Sequence, residues 1–179
     1  MTRFACLVLA CLLAPALSAA ETLPWSNMAT VGQARLKVLF WTIYEATLYV
    51  GDQNGNVNNR PVAPLFTWPD SAPFALELEY QRDFQATALV EETRRQWQAM
   101  GVAAPAEWLE QLQAIMPGVK KGDSITLHVD AAGISTFYVN SRAAGTINDP
   151  EFSRQFSAIW LSAQTTHPAM RRQLIGEDK

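Results

Sequence analysis

The sequence predicts an α+β fold: a mainly antiparallel sheet with helices packed on one face. Three observations predict it. Phe74, Leu76, Leu78 and Tyr80 alternate with Ala75, Glu77 and Glu79, the two-residue period of a half-buried strand. Residues 122–161 read as a strand, a glycine turn at Gly133, a second strand and a capped helix. Two helical stretches separate these strand regions, so the order is strands, two helices, strands, two helices. That order belongs to sheets whose helices are segregated to one face.

Residues 35–50 are rich in β-formers and too long for one ordinary strand. They are expected to form a hairpin, two strands, or one strand with a bulge. Residues 51–60 are a polar loop, and a proline-rich approach over 61–73 leads into the alternating strand. A helix is predicted from about Gln85 to Met100, stopped by Gly101. Its apolar face carries Ala86, Leu89, Val90, Thr93, Trp97 and Met100, while Glu91, Glu92, Arg94 and Arg95 form a solvated face with i,i+3 pairs. A shorter helix, about Pro105 to Met116, buries Trp108, Leu112 and Ile115. Ile125, Leu127 and Val129 then alternate with polar residues as a strand, and Ser135 to Asn140 form the next. Asp149 is an N-cap residue and Pro150 suits the first helical position. Phe152, Phe156, Ile159 and Trp160 share one face of that helix. A last helix runs from about Pro168 to Leu174, before Gly176.

The N-terminus reads as a processing signal. Arg3 supplies a positive start, Phe4 to Leu17 an apolar run, and Ser18-Ala19-Ala20 the small residues before a cut. Residues 1–20 are therefore expected to be a cleaved signal peptide and 21–179 one domain, placed in the periplasm. A lipoprotein signal, with Val8-Leu9-Ala10 preceding Cys11, is the alternative. Both cysteines, Cys6 and Cys11, lie in the leader, so the mature chain has no thiol and no disulfide to staple it. Losing Arg3 from 14 basic residues leaves 13 against 17 acidic ones, a net charge of −4. That balance argues against a nucleic-acid partner. No later segment is long and apolar enough to span a bilayer.

Three blocks in this order resemble the bacterial chalcone isomerase-like domain. The first is Gly32 to Val50, with Ile43-Tyr44-Glu45-Ala46-Thr47-Leu48-Tyr49 at its centre. The second is Leu76 to Gly101, with Arg82-Asp83-Phe84 entering the helix. The third is Lys121 to Gly176, with Ile159-Trp160-Leu161 in its helix and Leu174-Ile175-Gly176 at its end. The resemblance implies an open-faced sandwich and a superfamily that includes plant fatty-acid-binding proteins. Chalcone isomerase uses an arginine, a threonine and a tyrosine–asparagine pair. Here Arg35 lies near the arginine position, Tyr44 occupies the threonine position, and Gln85 to Glu92 contain neither tyrosine nor asparagine. The resemblance therefore does not extend to flavonoid cyclisation.

In the fatty-acid-binding relatives, an arginine and a tyrosine from this region hold a carboxylate at the end of an apolar cavity. Carried over, the resemblance gives Arg35 and Tyr44 as the anchor, with Phe40, Trp41 and Leu48 walling the acyl chain. A guanidinium fork and a phenol donor suit a carboxylate. Positions 35 and 44 have opposite parity, so they converge only if a hairpin or bulge near Phe40-Trp41 intervenes. No metal site and no cofactor are expected: there is no phosphate loop, and His128 and His167 lack partners at ligand spacing. The leading expectation is a non-catalytic binder of a small apolar ligand such as a fatty acid. The alternatives are an isomerase- or lyase-type enzyme using Arg35 and Tyr44, and an envelope scaffold that binds a protein partner.

Overall fold

A computed structural model describes residues 22–51, 68–70 and 73–178. The expected leader over 1–20, most of the polar loop and most of the proline-rich approach lie outside these residues. Six strands form one sheet in chain order, each antiparallel to the next: β1 (Ala29–Val38), β2 (Trp41–Val50), β3 (Phe74–Tyr80), β4 (Ser124–Val129), β5 (Ser135–Val139) and β6 (Arg142–Ile147). Among the described residues, four helices accompany it: α1 (Ala86–Ala99), α2 (Ala106–Ile115), α3 (Pro150–Leu161) and α4 (Pro168–Leu174).

The β-rich stretch is a hairpin with its turn at Leu39–Phe40 and a bulge between Leu36 and Lys37. Its first strand begins at Ala29, earlier than the β-rich composition indicates. Strand β6 is an addition to the expected elements. Asn140 (φ 47°) and Ser141 (φ 65°) turn the chain back after β5. Two consecutive left-handed residues make the tight turn that suits the twist of a hairpin. Asn140 Oδ1 accepts from the Ser124 N–H at 2.9 Å and its Nδ2 donates to Asp123 at 2.9 Å, which fixes that turn.

The helix ends follow their punctuation. After α1, Gly101 sits at φ 74°; its N–H donates to the Gln98 carbonyl, and the Val102 N–H donates to that of Trp97 at 2.8 Å. Those two bonds satisfy carbonyls that the helix leaves open. Gly176 closes α4 with the same pair of bonds. Asp149 caps α3, accepting from the Glu151 and Phe152 N–H groups, and its other oxygen accepts from Trp108 Nε1 at 2.9 Å. One carboxylate thus starts α3 and ties α2 to it.

The sheet's two faces differ, as its alternation requires. Ala46, Leu48, Leu76, Leu78, Ile125, Leu127 and Phe137 belong to the main core, where Phe152 and Phe156 of α3 stack on each other and meet Phe137 edge-on, and Trp97 and Trp108 meet Phe152 edge-on. The other face carries Glu45, Thr47, Glu77, Glu79 and His128 in register. It is partly covered too: Trp25 and Met28 pack over Ala75, and Trp25 meets Tyr138 edge-on at 4.8 Å. Helix α4 lies against β1. Gly32 permits that approach, because a Cβ there would stand 2.1 Å from the Gln173 carbonyl oxygen.

Candidate functional site

A cavity of about 340 Å³ lies between the sheet and helices α1 to α3. Leu78, Leu89, Ile125, Phe156 and Ile159 supply much of its wall. Each falls on the apolar face of its own strand or helix, so the cavity is a gap in the main core rather than a surface groove. Its size lies at the lower end of the range of about 300–1,000 Å³ for small-molecule pockets.

The deep polar group is Tyr44. Its side chain is buried, and its hydroxyl oxygen accepts from Trp160 Nε1 at 2.9 Å. The phenol thus satisfies the indole N–H of α3 and keeps its own proton for a further acceptor. Tyr80 stands beside it, ring centroids 5.8 Å apart and edge-on, and contacts Phe84 in turn. Burial pushes both phenols far above their ordinary pKa; for Tyr44 the Trp160 hydrogen bond opposes this more weakly. Both therefore stay neutral at any physiological pH.

The mouth is polar. Glu92, Thr93, Arg95 and Gln96 of α1, with His167 before α4, line it beside Val38. Arg95 pairs with Glu92 at 2.6 Å, Gln96 Nε2 donates to Glu92 at 2.7 Å, and Thr166 donates to Gln96 Oε1 at 2.5 Å. Burial holds the His167 imidazole below its usual pKa, with Glu92 opposing more weakly.

The expected anchor is not assembled. Arg35 stands opposite Glu45 and Tyr44 stands opposite Leu36 across the hairpin. Directly opposed residues share a face, so Arg35 and Tyr44 point to opposite sides of the sheet. The turn at Leu39–Phe40 and the bulge beyond Leu36 leave that parity intact. Arg35 is instead paired to Glu45 at 2.8 Å with its side chain 62% exposed. Phe40 is 97% exposed at the hairpin tip, and Trp41 is exposed under the Arg82 guanidinium, 4.5 Å from its ring centroid. Leu48 is fully buried but does not line the cavity. Of the five expected residues, Tyr44 alone lines it.

Of the mouth residues, the sequence assigned Glu92 and Arg95 to a plain solvated face and Thr93 to the apolar one. A signal for them exists: Glu92 and Gln96 follow Leu89 by three and seven positions, so they border the apolar stripe of α1 rather than oppose it. Among the described residues, no group of three or more His, Cys, Asp or Glu side chains is placed to hold a metal ion. Among the same residues, no helix is long and apolar enough to cross a membrane.

A family model described as chalcone isomerase-like matches residues 27–176. Among solved structures, the chain is similar to a fatty-acid binding protein of Arabidopsis thaliana. The TM-score is 0.62 with 12% sequence identity, over 85% of this chain and 88% of that one. At that identity the likeness concerns the fold. No curated protein matches the sequence.

Proposed function

The chain belongs to the chalcone isomerase-like family, and from that premise we propose that it is an exported, non-catalytic binder of a small apolar ligand such as a fatty acid. The observation that carries this reading is the cavity itself. It is walled by leucine, isoleucine and phenylalanine, and Tyr44 presents a neutral phenol within it. An apolar chain fits such a wall, and one polar atom of the ligand can accept from the phenol. The name of the Arabidopsis neighbour, a fatty-acid binding protein, supports the ligand class. Export rests on Arg3, the Phe4–Leu17 run and Ser18-Ala19-Ala20.

The enzyme alternative needs Arg35 and Tyr44 on one substrate, and the sheet stands between them. A carboxylate at the mouth has another cation within reach, Arg95, already held by Glu92. Ligand binding there exchanges one carboxylate partner for another rather than filling an empty site.

Native mass spectrometry of the exported protein tests the reading. Co-purified lipid, absent from a Thr93→Trp variant whose indole plugs the mouth, is the expected result. Wild-type and plugged protein carrying the same ligand, or neither binding any added fatty acid, overturns it.

A further inference from the structure

All the large hydrophobic side chains that stand exposed among the described residues occur in one run. Val38 is 53%, Leu39 86%, Phe40 97% and Trp41 60% exposed. They form the tip of the β1–β2 hairpin, a convex projection and not a groove. Folding does not call for them there. Leu39 holds φ 55°, a left-handed conformation that glycine or asparagine adopts more readily and that costs a leucine energy. The turn keeps a bulky apolar residue where a small polar one serves the hairpin better.

We propose that this tip is a membrane-docking element that inserts Leu39 and Phe40 into a lipid surface and sets the cavity's mouth against it. Three features favour a lipid surface over a protein partner. A convex apolar point needs a medium that opens around it, and the boundary between headgroups and acyl chains does so. The residues at its base suit that boundary: Trp41 is amphipathic, and aromatic residues of this kind sit at the headgroup level. Lys37 and Arg82 flank it, Arg82 lying over the Trp41 ring, and neither takes part in the ion pairs of the described residues. Two such cations beside an inserted apolar tip complement anionic headgroups.

The third feature is continuity. Leu36 and Val38 belong to the hairpin and also line the cavity. On the cavity-facing side of this strand, where Leu36 and Val38 stand two positions apart and Lys37 points away, the apolar surface therefore runs from the tip into the cavity. A molecule leaving the acyl region beside the tip reaches the mouth without crossing bulk water. The docking itself stands whether or not the cavity holds a ligand.

Vesicle co-sedimentation of the processed protein tests the proposal. One set of vesicles contains phosphatidylethanolamine with phosphatidylglycerol, the other phosphatidylcholine alone. Wild-type protein is expected on the anionic vesicles. Leu39→Asp with Phe40→Asp lowers partitioning roughly tenfold or more, because two buried side chains are lost. Lys37→Glu with Arg82→Glu weakens binding to the anionic vesicles more than to the neutral ones. Near-UV circular dichroism matching wild type verifies that each variant is folded. An independent reading leaves the tip almost untouched: brominated lipid quenches wild-type tryptophan emission more than that of Trp41→Phe, the difference being the inserted indole. No vesicle binding by the wild type overturns the proposal, and so does equal binding by the Leu39→Asp, Phe40→Asp variant. Concentration-dependent self-association that the same variant abolishes, without vesicle binding, also overturns it and assigns the tip to a second copy of the chain.

Discussion

Tyr44 faces Leu36 across the β1–β2 pair while Arg35 faces Glu45, and this one-residue difference decides what the cavity can offer a ligand. The interior presents a neutral phenol, whereas the guanidinium is spent on an exposed ion pair on the other side of the sheet. Such a pair contributes little, about 0–1 kcal/mol. The parity of the two positions was legible in the sequence, and their failure to meet follows from it. The resemblance that joined them concerned residue types and carried no information on register. The two histidines give a prediction at this scale. Burial lowers the pKa of His128, with Asp130 opposing, and of His167, with Glu92 opposing. The unfolded chain therefore binds more protons than the folded one as each imidazole titrates. Stability is full above the unfolded value of about 6.5 and falls as pH drops toward the lowered folded values. Urea midpoints measured from neutral pH downward should decline through this window. A His128→Asn, His167→Asn variant should show a flatter slope there, whereas an unchanged slope assigns the decline to the carboxylates.

At the scale of elements, the position of Gly32 sets how closely α4 can lie on β1. Gly32→Ala places a methyl group 2.1 Å from the Gln173 carbonyl and 2.5 Å from that of Leu174. Both are backbone atoms at the end of a helix, so the helix must move. The cost should be about 2–3 kcal/mol, as for an overpacked core, read from denaturant unfolding. A variant within about 0.5 kcal/mol of wild type, the range of ordinary surface changes, would show that α4 docks more loosely than described. Three of the helices were legible from their own punctuation, Gly101 and Gly176 at the ends of α1 and α4 and Asp149 with Pro150 at the start of α3, and α2 from the spacing of Trp108, Leu112 and Ile115. The alternation over Phe74–Tyr80 gave β3 in the same way. Strand β6 was not legible. Arg142-Ala143-Ala144-Gly145-Thr146-Ile147 lacks a clear two-residue period, and its turn is built from Asn140-Ser141 without a glycine. Gly145 in that strand lies against Ile115 of α2, where a Cβ would meet Ile115 Cγ1 at 2.6 Å. A strand chosen for close approach to a helix shows little hydrophobic pattern of its own. The early start of β1 was hidden for a similar reason, since Gly32 answers to α4 and not to the sheet.

Across the whole molecule, the sheet separates two environments. One side holds the aromatic core and its cavity, and the other is largely polar, with Trp25 and Met28 covering one end. The hairpin joins the cavity's mouth to the exposed tip, so a ligand site and a surface for reaching it share one element. The general architecture was readable from patterning. The cavity was not, because a gap in a core depends on how side chains of distant elements fail to fill space, and no local period records that. The mouth depends in the same way on α1 meeting the residues before α4, Thr166 and His167, seventy positions on. Calorimetric titration of a long-chain fatty acid into the wild type, Thr93→Trp and Arg35→Ala distinguishes a ligand held inside the core from one held on the outer face of the sheet. Saturable binding by the wild type, its loss in Thr93→Trp, and affinity within about twofold of wild type in Arg35→Ala, since a distant exposed charge contributes little, is the predicted result. Binding that survives in Thr93→Trp but is lost in Arg35→Ala would place the ligand on the outer face of the sheet and contradict the account.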